Sequence, residues 1–349
     1  MLVVRSHVPV RPMPSRRQFL RLGAAATAAL AAPSWARAGL RPARWSAAPA
    51  LPHATQEVYC TTWNGQIVVA GGLRSPADGN AMTSLRATAV FDPSTDTWST
   101  GPPLPAPRHH IVLGAAGGTV YGFGGFVDES ADTRFAYRDD VYAFDGTEWE
   151  RIGAMPAPLG ETVALSTGGR IHLVTGSLHG AGASGDTGTH LVYDPVVDAW
   201  SEARPAPTAR SSATGAVIDG QLYVAAGLLT GDGVTTLDAL ERYDPETDEW
   251  TELRPVPQPT GGPAGAALDG RLYVFGGEYF DRGGGVYEQT SIYDPAADRW
   301  AEGPPMRTPR HGLAGTALDG RLFAMGGNTA AGVGAATADV VETLTPSDS

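Results

Sequence analysis

The chain contains no lysine. All 25 basic residues are arginine, against 37 acids, giving a formal net charge of −12 over 349 residues. The first 38 residues hold six of those arginines and no acid, so the remainder is more acidic than the whole. A surplus of that sign excludes nucleic acid and anionic membrane as main partners, since both repel it. Genomic base composition accounts for the all-arginine usage, with a high-salt habitat as the alternative. The single cysteine, Cys60, excludes an internal disulfide and any cysteine-rich metal cluster. Histidines are few, eight in all, and none forms a close i, i+2 or i, i+4 pair. His109 and His110 are adjacent on an extended segment and are expected to point to opposite faces. Asp128, Glu129 and Asp132 lack the spacing of a calcium loop and read as a solvated loop. No metal or cofactor is therefore expected, and no apolar run is long enough for a membrane span.

What is abundant is glycine (45) and proline (28), and both recur in phase. The stretch Arg271 to Trp300 shows the unit. It has an apolar run, Leu272 to Phe275, the pair Gly276-Gly277, a loop, a second run ending in Tyr293-Asp294-Pro295, and Trp300. Two runs of strand length punctuated in this way read as antiparallel strands. The first glycine position recurs at Gly71, Gly124, Thr175, Ala226, Gly276 and Gly326, in steps of 50 to 53 residues. Trp45, Trp98, Trp149, Trp200, Trp250 and Trp300 keep the same steps. A repeat that long, with several strands per copy, is a propeller blade and not a solenoid rung. These residues resemble kelch repeats, whose signature is an apolar run, Gly-Gly, then Tyr and Trp at fixed later offsets. The resemblance covers Trp45 to Leu344 and implies a scaffold that hosts many unrelated functions.

Each copy parses into four strands, a to d from the axis outward. Asp-Gly, Asn-Gly or Gly-Gly pairs between strands a and b suit two-residue type I′ hairpins, and Asp-Pro turns join c to d. The last copy stops after strand c, Val340 to Leu344, before any Trp. Arg44-Trp45-Ser46 is a strand d with no blade before it. Pairing the two closes the ring and removes exposed edges. The expected fold is all-β, a six-bladed propeller with four antiparallel strands per blade, closed by an N-terminal strand that completes the last blade.

Ser15-Arg16-Arg17-Gln18-Phe19-Leu20 precedes an alanine-rich run, Leu22 to Ala32, and Ala36-Arg37-Ala38 offers a small-x-small cleavage site. The twin arginine followed by Phe-Leu resembles the Tat export signal. The expected organisation is a removed signal over residues 1–38, the propeller over 39–345 and a tail over 346–349. The mature protein is then periplasmic or extracellular and a monomer.

In an up-down blade the d-to-a and b-to-c connections emerge on one face, which receives all the long loops. Binding residues are found on such loops, carried by a rigid frame. The residue opening strand a on this face is Thr55, Arg108, Leu159, Arg210, Thr260 or Arg310. The next is Gln56, His109, Gly160, Ser211, Gly261 or His311, and Glu57, His110 and Glu161 come after. Three arginines at one channel mouth would hold an anion. The alternative is that each arginine bonds a neighbouring loop, as Pro-Arg does in kelch repeats. Glu278 and Arg310-His311 belong to adjacent blades and, with Arg282, would make an acid, base and cation cluster for acid–base catalysis; a structural ion pair is the alternative. The candidate ligand-binding residues are Arg108, His109, Glu161, Arg210, Glu278, Arg310 and His311, and the catalytic candidates are Glu278, Arg282 and His311. Loop aromatics such as Phe126, Phe135, Tyr137 and Tyr279 suit a sugar ring or pack on one another.

Three functions are weighed. The first is an exported binding module for a carbohydrate, an anionic small molecule or a protein. The second is a sugar-active enzyme: Glu278 and Arg282 are similar to the acid and arginine pair of the N-acetylneuraminate epimerase family, kelch mutarotases of the periplasm. The third is a copper oxidase resembling galactose oxidase. That site needs a cysteine crosslinked to tyrosine, whereas Tyr59 beside Cys60 is sterically unsuited and no Tyr-His pair occurs.

Overall fold

The computed structural model describes residues 43–346, apart from 76–81, 129–134, 181–182, 333 and 335. The expected signal over 1–38 and all but the first residue of the expected tail lie outside them. Six antiparallel sheets follow one another along the chain as blades, each with four strands paired in the order a-b-c-d, and in blade 3 the two-residue strand Leu159–Gly160 also pairs with strand b. Blade 1 runs through Tyr59–Trp63, Gln66–Ala70, Thr88–Asp92 and Thr97–Thr100, and blade 2 through Val112–Ala116, Thr119–Phe123, Asp140–Phe144 and Trp149–Ala154. Blade 3 has Val163–Thr167, Arg170–Gly180, Ala183–Asp194 and Ala199–Glu202. Blade 4 has Thr214–Ile218, Gln221–Ala225, Leu240–Asp244 and Glu249–Glu252, and blade 5 Ala264–Leu268, Arg271–Phe275, Thr290–Asp294 and Arg299–Glu302. In blade 6, Ala314–Leu318, Arg321–Met325 and Val341–Leu344 are joined by the N-terminal Ser46–Ala48 as strand d, with Ser46 opposite Thr343 and Ala48 opposite Val341. Each strand a touches the strands a of both neighbouring blades, so the ring is closed.

The hairpin chemistry follows the sequence. Both residues of every a–b turn have positive φ, for example 50° and 71° at Asp319 and Gly320 and 59° and 83° at Gly117 and Gly118. Buried apolar side chains form six clusters, one at each junction between blades. No blade has a core of its own, which is why the array must close to bury both faces of every sheet. Trp45 takes its place at the blade 5–6 junction at 2 % exposure, its Nε1 donating to Thr290 Oγ1 at 3.1 Å.

The glycine pair is an inter-blade clasp. In every blade the second glycine donates its N–H to the carbonyl of the residue that opens strand a of the next blade. Gly72 bonds Arg108, Gly125 Leu159, Gly176 Arg210, Gly227 Thr260, Gly277 Arg310 and Gly327 Thr55, at 2.7–3.0 Å. The first position accepts Thr175 and Ala226 at φ 59°, but the second is always glycine. At Gly277, φ is 99° and a Cβ would collide with Thr260 Oγ1, so only glycine fits.

The b–c connections are more ordered than the loops expected from sequence. In blade 3 strands b and c run on as one ribbon, Arg170–Gly180 against Ala183–Asp194, with an irregularity between Val174 and Gly176. Shorter ribbons stand above blades 1, 2, 4 and 5, such as Leu228–Thr230 against Val234–Thr236. These segments keep an extended backbone because the pairing already made by strands b and c continues outward past the clasp.

Candidate functional site

The three arginines open strands a as expected but do not ring the mouth. Arg108, Arg210 and Arg310 are 3 %, 0 % and 0 % exposed. Each guanidinium turns into its own blade and meets a carboxylate on strand c: Arg108 pairs with Asp140, Arg210 with Glu241 at 2.9 Å and Arg310 with Glu342 at 3.1 Å. Arg310 also donates to the carbonyls of Gly326, Thr308 and Ala324. The anion-binding ring expected from the sequence is therefore corrected to three internal pins. A buried guanidinium needs a fixed counter-charge more than a dilute external one, and the strand-c acid supplies it.

What occupies the mouth is the third residue of the d–a segment, which has positive φ in all six blades: Glu57, His110, Glu161, Ser212, Gly262 and Gly312, at 47–57°. Backbone bonds link several of them around the axis, His110 N–H to Glu57 at 3.1 Å, Ser212 to Glu161 at 3.2 Å, Gly262 to Ser212 at 2.9 Å and Gly312 to Gly262 at 3.0 Å. The left-handed turn aims each side chain at the axis, where an alternating arc of acids and imidazoles forms. Ser212 Oγ donates to Glu161 Oε2 at 3.1 Å. His110 Nε2 lies between Glu161 Oε1 at 3.5 Å and Glu57 Oε2 at 3.0 Å. His311 Nε2 lies between Glu57 Oε1 at 3.4 Å and Glu278 Oε2 at 3.5 Å. Taken in order, blades 4, 3, 2, 1, 6 and 5 each give one side chain.

The charges in this arc tune one another. Burial raises the Glu57 carboxyl, but His110 and His311 outweigh it and hold the group well below the usual carboxylate range. Burial lowers both imidazoles, yet Glu57 with Glu161 raises His110, and Glu57 with Glu278 raises His311, above the ordinary value. Glu278 is pushed up to about 7 by burial, with His311 opposing, while its Oε2 accepts the Gly332 N–H at 2.6 Å. The mouth thus carries three glutamates against two histidines.

Of the catalytic candidates, Glu278 and His311 are brought together. Arg282 is not: it lies on an exposed turn, pairs with Asp281 at 2.9 Å and sits over the Tyr279 ring. His109 and His110 do not diverge as an extended segment would dictate. The positive φ of His110 breaks the alternation, and the two Nδ1 atoms lie 2.7 Å apart. Phe126 packs at right angles on Phe135 and Tyr137. Among the described residues no three of His, Cys, Asp and Glu are arranged to hold a metal.

Comparison with known proteins agrees with this geometry. The family model of the KLHDC2/KLHL20/DRC7 kelch-repeats domain matches residues 57–277, and that of the kelch motif matches 259–307. The chain belongs to the kelch-repeat family. The model of the Tat pathway signal sequence matches residues 13–33, so the propeller carries an export signal. Kelch-like protein 40 of Mus musculus is 33 % identical over 187 residues, covering 51 % of this chain and 28 % of the mouse protein. Alpha-scruin of Limulus polyphemus is 24 % identical over 189 residues, covering 53 % of this chain and 20 % of its own. This kelch chain therefore spans less than a third of the length of these relatives. A solved structure, that of YjhT, superposes with a TM-score of 0.69 at 17 % identity, over 86 % of this chain and 97 % of the other, and shares the fold.

Sequence reasoning put Glu57 and His110 at the start of strand a on this face without choosing them as candidates, and it missed Ser212 as a mouth group and Asp140, Glu241 and Glu342 as arginine partners. The signal was present. Each arginine-bearing copy has an acid about thirty residues further on, in strand c.

Proposed function

We propose that this kelch propeller is an exported, non-catalytic binding module that holds a partner protein on its long-loop face, a basic side chain of the partner meeting the mouth. The observation that carries this reading is what lines the mouth: its arginines are consumed inside the blades, and the axis is left to three glutamates and two histidines, with Glu161 the most exposed of the acids. Around it the b–c connections of blades 2, 4 and 5 expose Phe135, Leu229, Val234 and Phe280 at 39–46 %. Apolar side chains flanking a polar centre are the composition of a protein-binding surface. Kelch domains commonly bind proteins, which supports the same choice. An anionic ligand or acidic sugar finds no unpaired guanidinium among Arg108, Arg210 and Arg310. Cleavage after Ala38 and work as a monomer in the periplasm or outside the cell complete the proposal.

A second reading rests on Glu278, whose carboxyl near 7 beside His311 suits proton exchange on a neutral sugar. The test uses the exported protein on arrays of length-matched peptides. Lysine- and arginine-bearing peptides are retained, acidic ones are not, and Glu161→Lys abolishes the difference. Equal retention of both classes, or indifference to Glu161→Lys, refutes the module. Accelerated anomer exchange of a neutral sugar, lost in Glu278→Gln, replaces it with the enzyme.

A further inference from the structure

A cavity of about 530 Å³ opens between blades 3 and 4 beside the short a–b and c–d turns, remote from the mouth. Its lining includes a position that varies between the blades. The third residue of strand b is Tyr121 in blade 2, Tyr223 in blade 4, Tyr273 in blade 5 and Phe323 in blade 6. Three of these rings meet a strand-c ring of the next blade: Tyr121 with Tyr193, Tyr223 with Tyr293 and Phe323 with Phe91, at 5.3–6.2 Å between centroids. In blade 3 the residue is His172, whose ring meets Tyr243 of blade 4 at 6.0 Å, and both side chains line the cavity.

His172 is 5 % exposed and does not stand alone. Its Nδ1 lies 2.8 Å from His190 Nε2, and His190 Nδ1 lies 3.2 Å from the Arg204 carbonyl oxygen. A carbonyl only accepts, so His190 carries its proton on Nδ1. His190 Nε2 is then the acceptor, and His172 donates from Nδ1. The other nitrogen, His172 Nε2, is left as a bare lone pair. It bonds no group among the described residues, is not sealed from solvent, and belongs to a side chain that lines the cavity. Burial, with His190 and Arg170 adding, lowers His172 to about 4, and burial lowers His190 to about 4, so near neutral pH that lone pair stays available.

The surrounding wall has the same polarity. Glu202, Asp219 and Glu246 line the cavity, and their carboxylates have no ionic or hydrogen-bond partner among the described residues. The one cation in the lining, Arg170, is drawn off to Asp194 at 3.0 Å. We propose that the cavity is a second ligand site, for a small organic cation whose primary ammonium donates to His172 Nε2 within the carboxylates of Glu202, Asp219 and Glu246. A wall of acceptors admits N–H donors and repels anions, and a quaternary ammonium lacks the hydrogen that the lone pair requires.

Putrescine titrated into the full chain by calorimetry, near neutral pH and at low salt, tests this. Saturable binding is expected, with none for butanediol. His172→Phe, the type of ring that blade 6 carries at this position, weakens it about tenfold or more. Glu246→Gln on the exposed turn weakens it about threefold. Proton–nitrogen correlation spectra place the His172 proton on Nδ1, with Nε2 shifting on titration. Absence of binding, equal binding by wild type and His172→Phe, or a proton found on His172 Nε2 overturns the proposal.

Discussion

Arg310 Nη1 lies 3.1 Å from Glu342 Oε2, in blade 6, with the two side chains 0 % and 3 % exposed. An arginine tied this way is part of the frame. Removing one partner leaves a buried charge uncompensated, so Arg310→Met is expected to cost about 3–5 kcal/mol in urea unfolding. The double variant Arg310→Met, Glu342→Met should recover most of that loss, because an apolar pair of similar volume replaces the ion pair. A double variant as unstable as the single one would mean that Arg310 holds blade 6 by its carbonyl bonds instead.

Closure of the ring rests on Trp45. Its indole is buried at the blade 5–6 junction, and its N–H bonds Thr290 across the seam. Trp45→Ala is expected to lower stability by about 3–5 kcal/mol, the usual cost of a vacated aromatic site. Deleting residues 39–52 should lower Tm more sharply still. An unchanged melt on that deletion would show that blade 6 is complete without its outer strand.

Stability should peak close to neutral pH, with limbs that separate by variant. His172 and His190 have lowered values near 4, so the unfolded chain binds more protons below about 6.5 and their contribution is lost as pH falls. Glu57, also lowered, acts in the same direction below the carboxylate range. His110 and His311 have raised values, so their contribution is full below about 6.5 and lost as pH rises above it, whereas that of Glu278, raised to about 7, is full only below its ordinary value of about 4.5 and is lost between there and 7. Glu278→Gln should remove a decline in stability between about pH 4.5 and 7, and His172→Phe the opposing loss as pH falls below about 6.5, read from Tm against pH. A profile that both variants leave untouched would mean that neither cluster titrates on unfolding.

Gly327 tests the clasp. At φ 102° an added Cβ would stand 2.7 Å from the His311 carbonyl oxygen and 2.9 Å from Leu313 Cβ. Gly327→Ala is expected to cost about 1–3 kcal/mol or more, since strain and a lost inter-blade bond combine. Ala226→Gly, at the tolerant first position, should change stability by no more than about 1 kcal/mol. Circular dichroism melts of the two variants make the comparison.

The fold was legible because its determinants are periodic. Gly-Gly, Asp-Pro and Trp recur in phase, and each marks a turn or an anchor whose geometry depends on nearby residues alone. The lone strand around Trp45 and the missing strand d after Leu344 announced the closure in the same way. The site was less legible because it depends on direction, which spacing does not carry. Arg108, Arg210 and Arg310 were located correctly along the chain, yet their side chains turn inward to acids on another strand. Glu57 and His110 reach the axis only because their backbones enter the left-handed region, a conformation that neither residue type advertises. Glu278 and His311 were paired correctly because adjacent blades force their proximity, whereas Arg282 sits on a turn that points it elsewhere.

The Ser46–Ala48 strand finds its partner in Val341–Leu344, nearly three hundred residues away. Ribosomal synthesis therefore delivers one half of this seam well before the other. Until Val341–Leu344 emerges, Ser46–Ala48 has no strand to pair with and the ring stays open. Closure of the ring therefore waits on the far end of the propeller, and a chain cut short of Val341 would leave the outer strand of blade 6 unpaired.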